Sequence, residues 1–412
     1  MDNLFLGGHL MKAACILVGT ELLNGAMVDT NSIYMAEELN KVGIELPYKM
    51  IVRDIKEEII DAIQYFHSRV DIIIMSGGLG PTLDDITKDA IADFLGKKLI
   101  VDPEELKVLH QKFASRGLPI LEMNTKEVEK PEGAISFENS VGMAPAIYID
   151  KIAAFPGVPR ELYDMFPKFL SYFIKEKNWK HKIYIKDIIT YGIPESVLEN
   201  HVKDCFQEEG IFYEFLVKNY GILIRMQADA MKKNKVEKIK EKIYNIIGDF
   251  IIGEDSVKIE EKIVQYLKEK QWKISLAESC TGGLIADHFV RLAGVSEVFY
   301  EGIVSYDNEA KKKRLGVQKQ TLDNDGAVSE NTAREMLLGL STEVAISTTG
   351  IAGPGGGSNE KPVGLVYIGI RVLDKTYVIK KIFHGNRQQI RQRTVLEALV
   401  SLFQILTKGC EM

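Results

Sequence analysis

The chain has 412 residues, too many for one ordinary hydrophobic core, so two or three domains are expected. Hydrophobic residues make up 46% and charged residues 27%, the balance of a soluble globular protein, and a net charge of −6 argues against nucleic acid as the main partner. The cysteines Cys15, Cys205, Cys280 and Cys410 form no C-x-x-C pair, which excludes a disulfide framework or structural zinc site and fits a reducing cytoplasm. No apolar run reaches the ~18 residues of a membrane span, and no basic cluster marks a signal peptide.

Met11-Lys12 reads as a second start, with residues 1–10 as a disordered extension or a start-site error. Ala13 to Val18 is a buried strand. Apolar spacing predicts a helix over Asn31 to Val42, stopped by Gly43. Pro47 to Val52 is a strand, Lys56 to Phe66 a helix, Asp71 to Met75 a strand, and Thr87 to Leu95 a helix ending at Gly96. Leu106 to Arg116 is helical. Ala146 to Ile149 and Ile152 to Phe155 form a hairpin around Asp150-Lys151, and Pro159 to Ile174 closes the domain with a helix. Repeated strand-helix units with continuous apolar strands predict a parallel sheet covered on both faces.

Residues 180–253 read as a small α+β module. It has a strand Ile183 to Thr190, a helix Glu195 to Glu209, strands Ile211 to Val217 and Gly221 to Ala228, and a helix Lys232 to Ile247. The basic run Met231 to Lys235 is a solvated helix start. Residues 254–412 return to α/β order: helix Ile259 to Lys270, strand Trp272 to Ala277, helix Leu284 to Leu292, strand Glu301 to Tyr306 and helix Glu309 to Leu315. Ser329 caps a helix Glu330 to Leu340, and Val344 to Thr348 is a strand. Val363 to Arg371 and Thr376 to Phe383 pair, and Arg387 to Leu406 is the last helix. The predicted fold class is α/β: two three-layer domains with mostly parallel sheets, residues 11–175 and 254–412, joined by the module 180–253.

Two loops follow strands in the first domain: Gly19 to Gly25, and Ser76 to Thr82 with Asp84-Asp85-Ile86-Thr87 behind it. Ligands bind at such strand ends in open α/β sheets. Gly77, Gly78, Gly80 and Thr82 offer backbone N–H groups and hydroxyls to an anion, and Asp84, Asp85 and Glu21 offer oxygens to a divalent cation. The alternative is that the glycines only make turns and an aspartate caps the next helix.

In the last domain Glu278-Ser279-Cys280-Thr281-Gly282-Gly283 turns a strand into a helix. Ser279 and Cys280 are rival nucleophiles there, and Ser279 and Thr281 also read as ordinary helix caps. Tyr306 and Lys311 lie five apart, which suits a strand end followed by a first helical turn. A buried lysine loses charge and serves as a base, and a phenol beside it relays a proton. Thr348 to Gly357 is rich in N–H groups, and Arg387, Arg391 and Arg393 follow in the last helix.

Gly19 to Asn31, Gly77 to Thr82 and Asp84 to Thr87 resemble the molybdopterin-binding-like domains, and more closely the N-terminal half of the CinA family. Glu278 to Gly283, Gly302 to Lys311 and Ser347 to Gly357 resemble that family's nicotinamide mononucleotide deamidase domain. The first resemblance implies a metal-dependent ADP-ribose pyrophosphatase, with a pterin- or nucleotide-binding module that does not hydrolyse as the alternative. The second implies hydrolysis of nicotinamide mononucleotide to nicotinic acid mononucleotide and ammonia without a cofactor. On this chain it makes Ser279 the nucleophile, Lys311 the base and Tyr306 a relay. Backbone groups around Thr281, Gly282 and Gly283 would meet the oxyanion. Thr349, Gly350, Gly353, Gly355 and Gly356, with Arg387 or Arg391, would hold the substrate. A homodimer is also implied. A regulatory role in competence or the DNA damage response is the remaining alternative.

Overall fold

A computed structural model describes residues 11–208, 210–218 and 221–408. The extension 1–10, Cys410 and the expected helix end at Glu209 lie outside the described residues. The chain divides into two compact units. The first is built on the residues up to Ile185, with 208–212 and 227–237. The second comprises Lys186–Gln207, Tyr213–Met226 and the chain from Lys238 onward.

The first unit carries a six-stranded sheet in the order Ile44–Val52, Met11–Val18, Ile72–Ser76, Ile152–Phe155, Ala146–Ile149 and Ile135–Phe137. The first four strands are parallel, and the last two join antiparallel. Alternate residues of Met11–Val18 enter two different cores, because successive side chains of a strand point to opposite faces. Ala13, Cys15 and Leu17 pack with Met35 and Leu39 of helix Asn31–Lys41 and Phe166 and Phe169 of helix Pro159–Glu176. Ala14, Ile16 and Val18 pack with Ile59 and Ile63 of helix Lys56–His67 and Ile91 of helix Thr87–Leu95. Burial on both faces is why the strand reads as a continuous apolar run.

The helix expected from Leu106 begins at Pro103, where Asp102 accepts the Glu104 N–H at 2.9 Å. Strands Leu99–Val101, Glu129–Pro131 and Ile135–Phe137 have no counterpart in the sequence reading, because three residues carry no period.

The second unit carries a five-stranded sheet in the order Phe299–Val304, Ile274–Glu278, Val344–Gly350, Leu365–Val372 and Lys375–Ile382. The first three strands are parallel and the last two antiparallel, so this sheet is half antiparallel. Helices Ile259–Lys270, Leu284–Val290 and Arg387–Lys408 cover one face through Ile263, Phe289 and Leu399. Helices Asn308–Leu315 and Glu330–Leu338 cover the other through Leu315, Met336 and Leu337, against Ala277 and Ala345. The middle strands Ile211–Lys218, Gly221–Asp229, Ile183–Thr190 and Ile251–Glu254 form a four-stranded sheet in that order. Helix Glu195–Val202 tightens into a 3-10 turn over Lys203–Phe206 and does not run on as expected. Among the described residues no helix is long and apolar enough to cross a membrane.

Parallel strands bring their C-terminal loops to one end. In the first unit these loops follow Val18, Ser76 and Phe155; in the second they follow Glu278, Val304 and Gly350. Gly77 shows how tightly the first set is drawn: its φ is +111°, and a Cβ there would lie 2.0 Å from the Val18 carbonyl oxygen. Gly77→Ala is therefore expected to cost at least about 2 kcal/mol of unfolding free energy, measured by urea denaturation; an unchanged midpoint would refute the close approach.

Candidate active site

The buried strand Ile274–Glu278 ends at a turn that Gly282 and Gly283 complete with φ of 61° and 91°, a backbone that side-chain-bearing residues rarely adopt. The Ser279 N–H donates to Thr348 O at 2.9 Å, and the Ser305 N–H donates to Glu278 O at 2.9 Å. Both neighbouring parallel strands therefore hold the turn. Glu278 is 1% exposed, and its carboxylate accepts the N–H groups of Gly283 (2.9 Å), Ile285 (3.1 Å) and Ala286 (2.9 Å). An anion in the first turn satisfies helix donors that lack intrahelical partners. Arg391 Nη2 donates to Thr281 O at 2.7 Å and braces the same turn.

Asp307 caps helix Asn308–Leu315 by accepting the Glu309 N–H at 2.7 Å, which sets Lys311 on the first turn. Lys311 is 1% exposed. Its Nζ lies 3.0 Å from Ser279 Oγ, 3.0 Å from Ser305 O and 3.1 Å from Tyr306 O. Burial pushes its pKa below the ordinary lysine value, against the opposing charge of Asp307. A neutral amine has two N–H donors and one lone pair. The two carbonyls can only accept, so in the neutral form they take both donors and leave the lone pair for the serine hydroxyl, whereas the ammonium donates to Ser279 Oγ as its third partner. The arrangement can therefore remove a proton from Ser279.

Cys280 is 5% exposed, and burial pushes its thiol up to about 12. The thiolate, the nucleophilic form, is thus strongly disfavoured. Between the two rivals the geometry favours Ser279.

Ser279, Tyr306, Lys311, Thr349, Gly350, Gly353, Gly355, Gly356 and Arg387 line one cavity of about 250 Å³, together with Ala327 and Val328. Three roles differ from the sequence reading. Tyr306 is 61% exposed, its hydroxyl accepts from Arg387 Nη2 at 2.7 Å, and it meets Lys311 through its main-chain carbonyl, so among the described residues no hydrogen bond supports the relay. The Gly283 N–H is already donated to Glu278, which removes it from the oxyanion donors. Arg391 supports the turn, whereas Arg387 faces the cavity and also donates to Gly353 O at 2.8 Å. Arg393 is tied to the His384 carbonyl.

In the first unit Gly77 and Gly78 have φ of 111° and 69°, and Thr87 Oγ1 donates to Gly77 O at 2.8 Å. The rest of the loop is closed on itself. The Thr82 N–H donates to Asp85 Oδ2 at 2.9 Å, and the Thr82 hydroxyl lies 2.5 Å from both Asp84 and Asp85. Glu21 sits apart in the short helix Thr20–Leu23, against Gly19. Among the described residues no group of three or more His, Cys, Asp or Glu could hold a metal ion. Asp84, Asp85 and Glu21 therefore do not form the expected metal site, and the two aspartates brace a turn. Sequence reasoning missed Lys88, which is 2% exposed, donates to the Lys126 carbonyl and is lowered to about 8 by burial.

Residues 256–406 match the CinA C-terminal domain family, and residues 14–176 match the family described as a probable molybdopterin binding domain. A CinA-like protein of Fusobacterium nucleatum subsp. nucleatum is 60% identical over 400 residues, covering 97% of this chain and 99% of that protein. A CinA-like protein of Kosmotoga olearia is 40% identical over 403 residues, covering 94% of this chain and 97% of that one. A solved structure of the competence/damage inducible protein CihA from Agrobacterium tumefaciens is 40% identical with a TM-score of 0.35, covering 36% of this chain and 93% of that chain.

The burial of Cys280 has a direct readout. In the folded protein at mildly alkaline pH, Cys280 is expected to resist iodoacetamide, whereas the denatured chain is alkylated at once. Rapid labelling of the folded protein, detected by peptide mass spectrometry, would restore Cys280 as a rival nucleophile.

Proposed function

The chain belongs to the CinA family, and from the Ser279–Lys311 geometry we propose that its second unit hydrolyses the carboxamide of nicotinamide mononucleotide. The observation that carries this reading is the buried Lys311 Nζ, held by two carbonyls and facing Ser279 Oγ at 3.0 Å. Neutral Lys311 takes the Ser279 proton as Oγ attacks the amide carbon. Of the backbone donors the turn offers to the resulting oxyanion, Gly283 is already engaged by Glu278, which leaves the N–H groups of Thr281 and Gly282. Lysinium returns the proton to the amide nitrogen, the C–N bond breaks and ammonia leaves. Water, deprotonated by Lys311, then attacks the acyl-serine ester, and its proton passes back to Ser279 as the acid is released. The products are nicotinic acid mononucleotide and ammonia. The phosphate goes to Arg387 and the glycine wall beside it.

Purified protein is expected to release ammonia from nicotinamide mononucleotide without added metal. Ser279→Ala should lower the rate by about 1,000-fold or more; full activity in that variant would end the assignment. Only neutral Lys311 is a base, so the rate should rise with pH and level off above its folded pKa. Because burial lowers that pKa, the plateau should be reached below the 10.5 of a free lysine. A rate that falls across that range would contradict the role.

For the first unit, the engagement of Asp84 and Asp85 with Thr82 favours a module that holds a nucleotide or pterin without hydrolysing it. ADP-ribose incubated with magnesium or manganese should then remain intact while still binding in equilibrium dialysis. Release of AMP would reinstate the pyrophosphatase.

A further inference from the structure

The loop between strands Val344–Gly350 and Leu365–Val372 forms the glycine wall of the cavity. It is pinched at its base: the Ile351 N–H donates to Leu365 O at 2.9 Å, and the Gly364 N–H donates to Ile351 O at 2.7 Å. Beyond the pinch, residues 354–360 are exposed. A glycine-rich loop of this kind has little of its own to hold a shape.

Lys361 supplies a tether. Its Nζ donates to Asp325 O at 2.5 Å and to Val328 O at 2.8 Å. Those carbonyls belong to the loop that carries Ala327 and Val328, the opposite wall of the same cavity. The turn that presents Lys361 is itself fixed. The Ser358 N–H donates to Lys361 O at 2.8 Å, and the Lys361 N–H donates to Ser358 Oγ at 3.0 Å. The opposite loop is equally dependent on side chains for its remaining carbonyls. Gly326 O accepts from Ser329 Oγ at 3.1 Å and Thr332 Oγ1 at 2.8 Å, and Ala327 O accepts from Thr349 Oγ1 at 2.5 Å. A Cβ on Gly326 would lie 3.3 Å from Lys361 Nζ, so the ammonium approaches that backbone closely.

We propose that Lys361 is a positioning residue that latches the glycine wall to the Asp325–Val328 loop and thereby sets the affinity of the cavity for a phosphorylated nucleotide. The inference rests on the amidase reading of that cavity. Lys361 touches none of the reacting groups. Both its acceptors are main-chain carbonyls of the opposite wall, so its bonds hold the two walls together. Opening the latch loses preorganisation and leaves the chemistry at Ser279 and Lys311 in place, so the effect falls on KM.

The test uses the full chain with Lys361→Met and Lys361→Arg. Two charge-assisted hydrogen bonds are at stake, so Lys361→Met is expected to raise KM for nicotinamide mononucleotide at least about tenfold, with kcat within about twofold of wild type. Lys361→Arg keeps N–H donors and charge and should recover most of the loss. An unchanged KM, or a fall in kcat alone, would overturn the latch while leaving the amidase intact. A second measurement does not depend on activity: glutamyl endopeptidase should cut after the exposed Glu360 faster in Lys361→Met than in wild type, with Lys361→Arg close to wild type. Equal cleavage rates would also refute the latch. An inactive wild-type protein with faster cleavage in Lys361→Met would refute the amidase and retain the latch.

Discussion

A lysine nitrogen buried this deeply is either charged and compensated or neutral and hydrogen-bonded. Among the described residues no carboxylate is bonded to Lys311 Nζ; its partners are Ser305 O, Tyr306 O and Ser279 Oγ. Those three oxygens can serve either form, and burial shifts the balance towards the neutral amine. Much of the second unit can be read as the means of keeping it so. The Asp307 cap starts the helix at the register that buries residue 311. The parallel strands tie the Ser279 turn on both sides, and Glu278 neutralises the donors of the helix beyond it. A shift of one residue in the helix start would rotate Lys311 by about 100° and leave Ser279 without its base.

The same strand-end geometry has a different outcome in the first unit. Glycines again let the backbone turn sharply beside neighbouring strands. There the polar groups satisfy one another: Thr82 answers Asp85 with both its N–H and its hydroxyl, and that hydroxyl also lies against Asp84. Lys126 Nζ donates to Thr82 O at 3.0 Å and closes the loop further. Carboxylates occupied in this way stabilise a turn. Fold alone assigns no chemistry to either unit.

Much of this was legible in the sequence, and the illegible part has a common cause. Ends with strong punctuation came out where expected, such as Thr87–Leu95 stopping at Gly96 or the start of the helix that Ser329 caps through the Thr332 N–H, although that helix stops at Leu338 and not at Leu340. The pairing of Ser279 with Lys311 was legible because a strand end followed by a first helical turn reaches back to a neighbouring strand. The direction of Tyr306 was not. Along an extended segment successive side chains point to opposite sides, so Ser305 is buried while Tyr306 is 61% exposed. Glu278 was read as the first residue of the turn, with no role of its own. Its partners lie five to eight residues ahead, across a turn that only two left-handed glycines make possible. Lys361 was invisible for the same reason, since its acceptors are main-chain carbonyls more than thirty residues away and carbonyls leave no mark in a sequence.

The choice of serine over cysteine follows from the same burial that prepares the lysine. Desolvation raises an acid that ionises to an anion and lowers a base that ionises to a cation. In one low-dielectric turn the Cys280 thiol moves up and away from its reactive form, while Lys311 moves down towards its reactive form. A serine needs no prior ionisation. It needs a base within hydrogen-bond reach at the moment of attack, and Lys311 Nζ stands 3.0 Å from its oxygen. An environment this dry therefore disarms a thiol and arms a hydroxyl–amine pair, and the adjacent residues Ser279 and Cys280 take opposite fates from one physical cause.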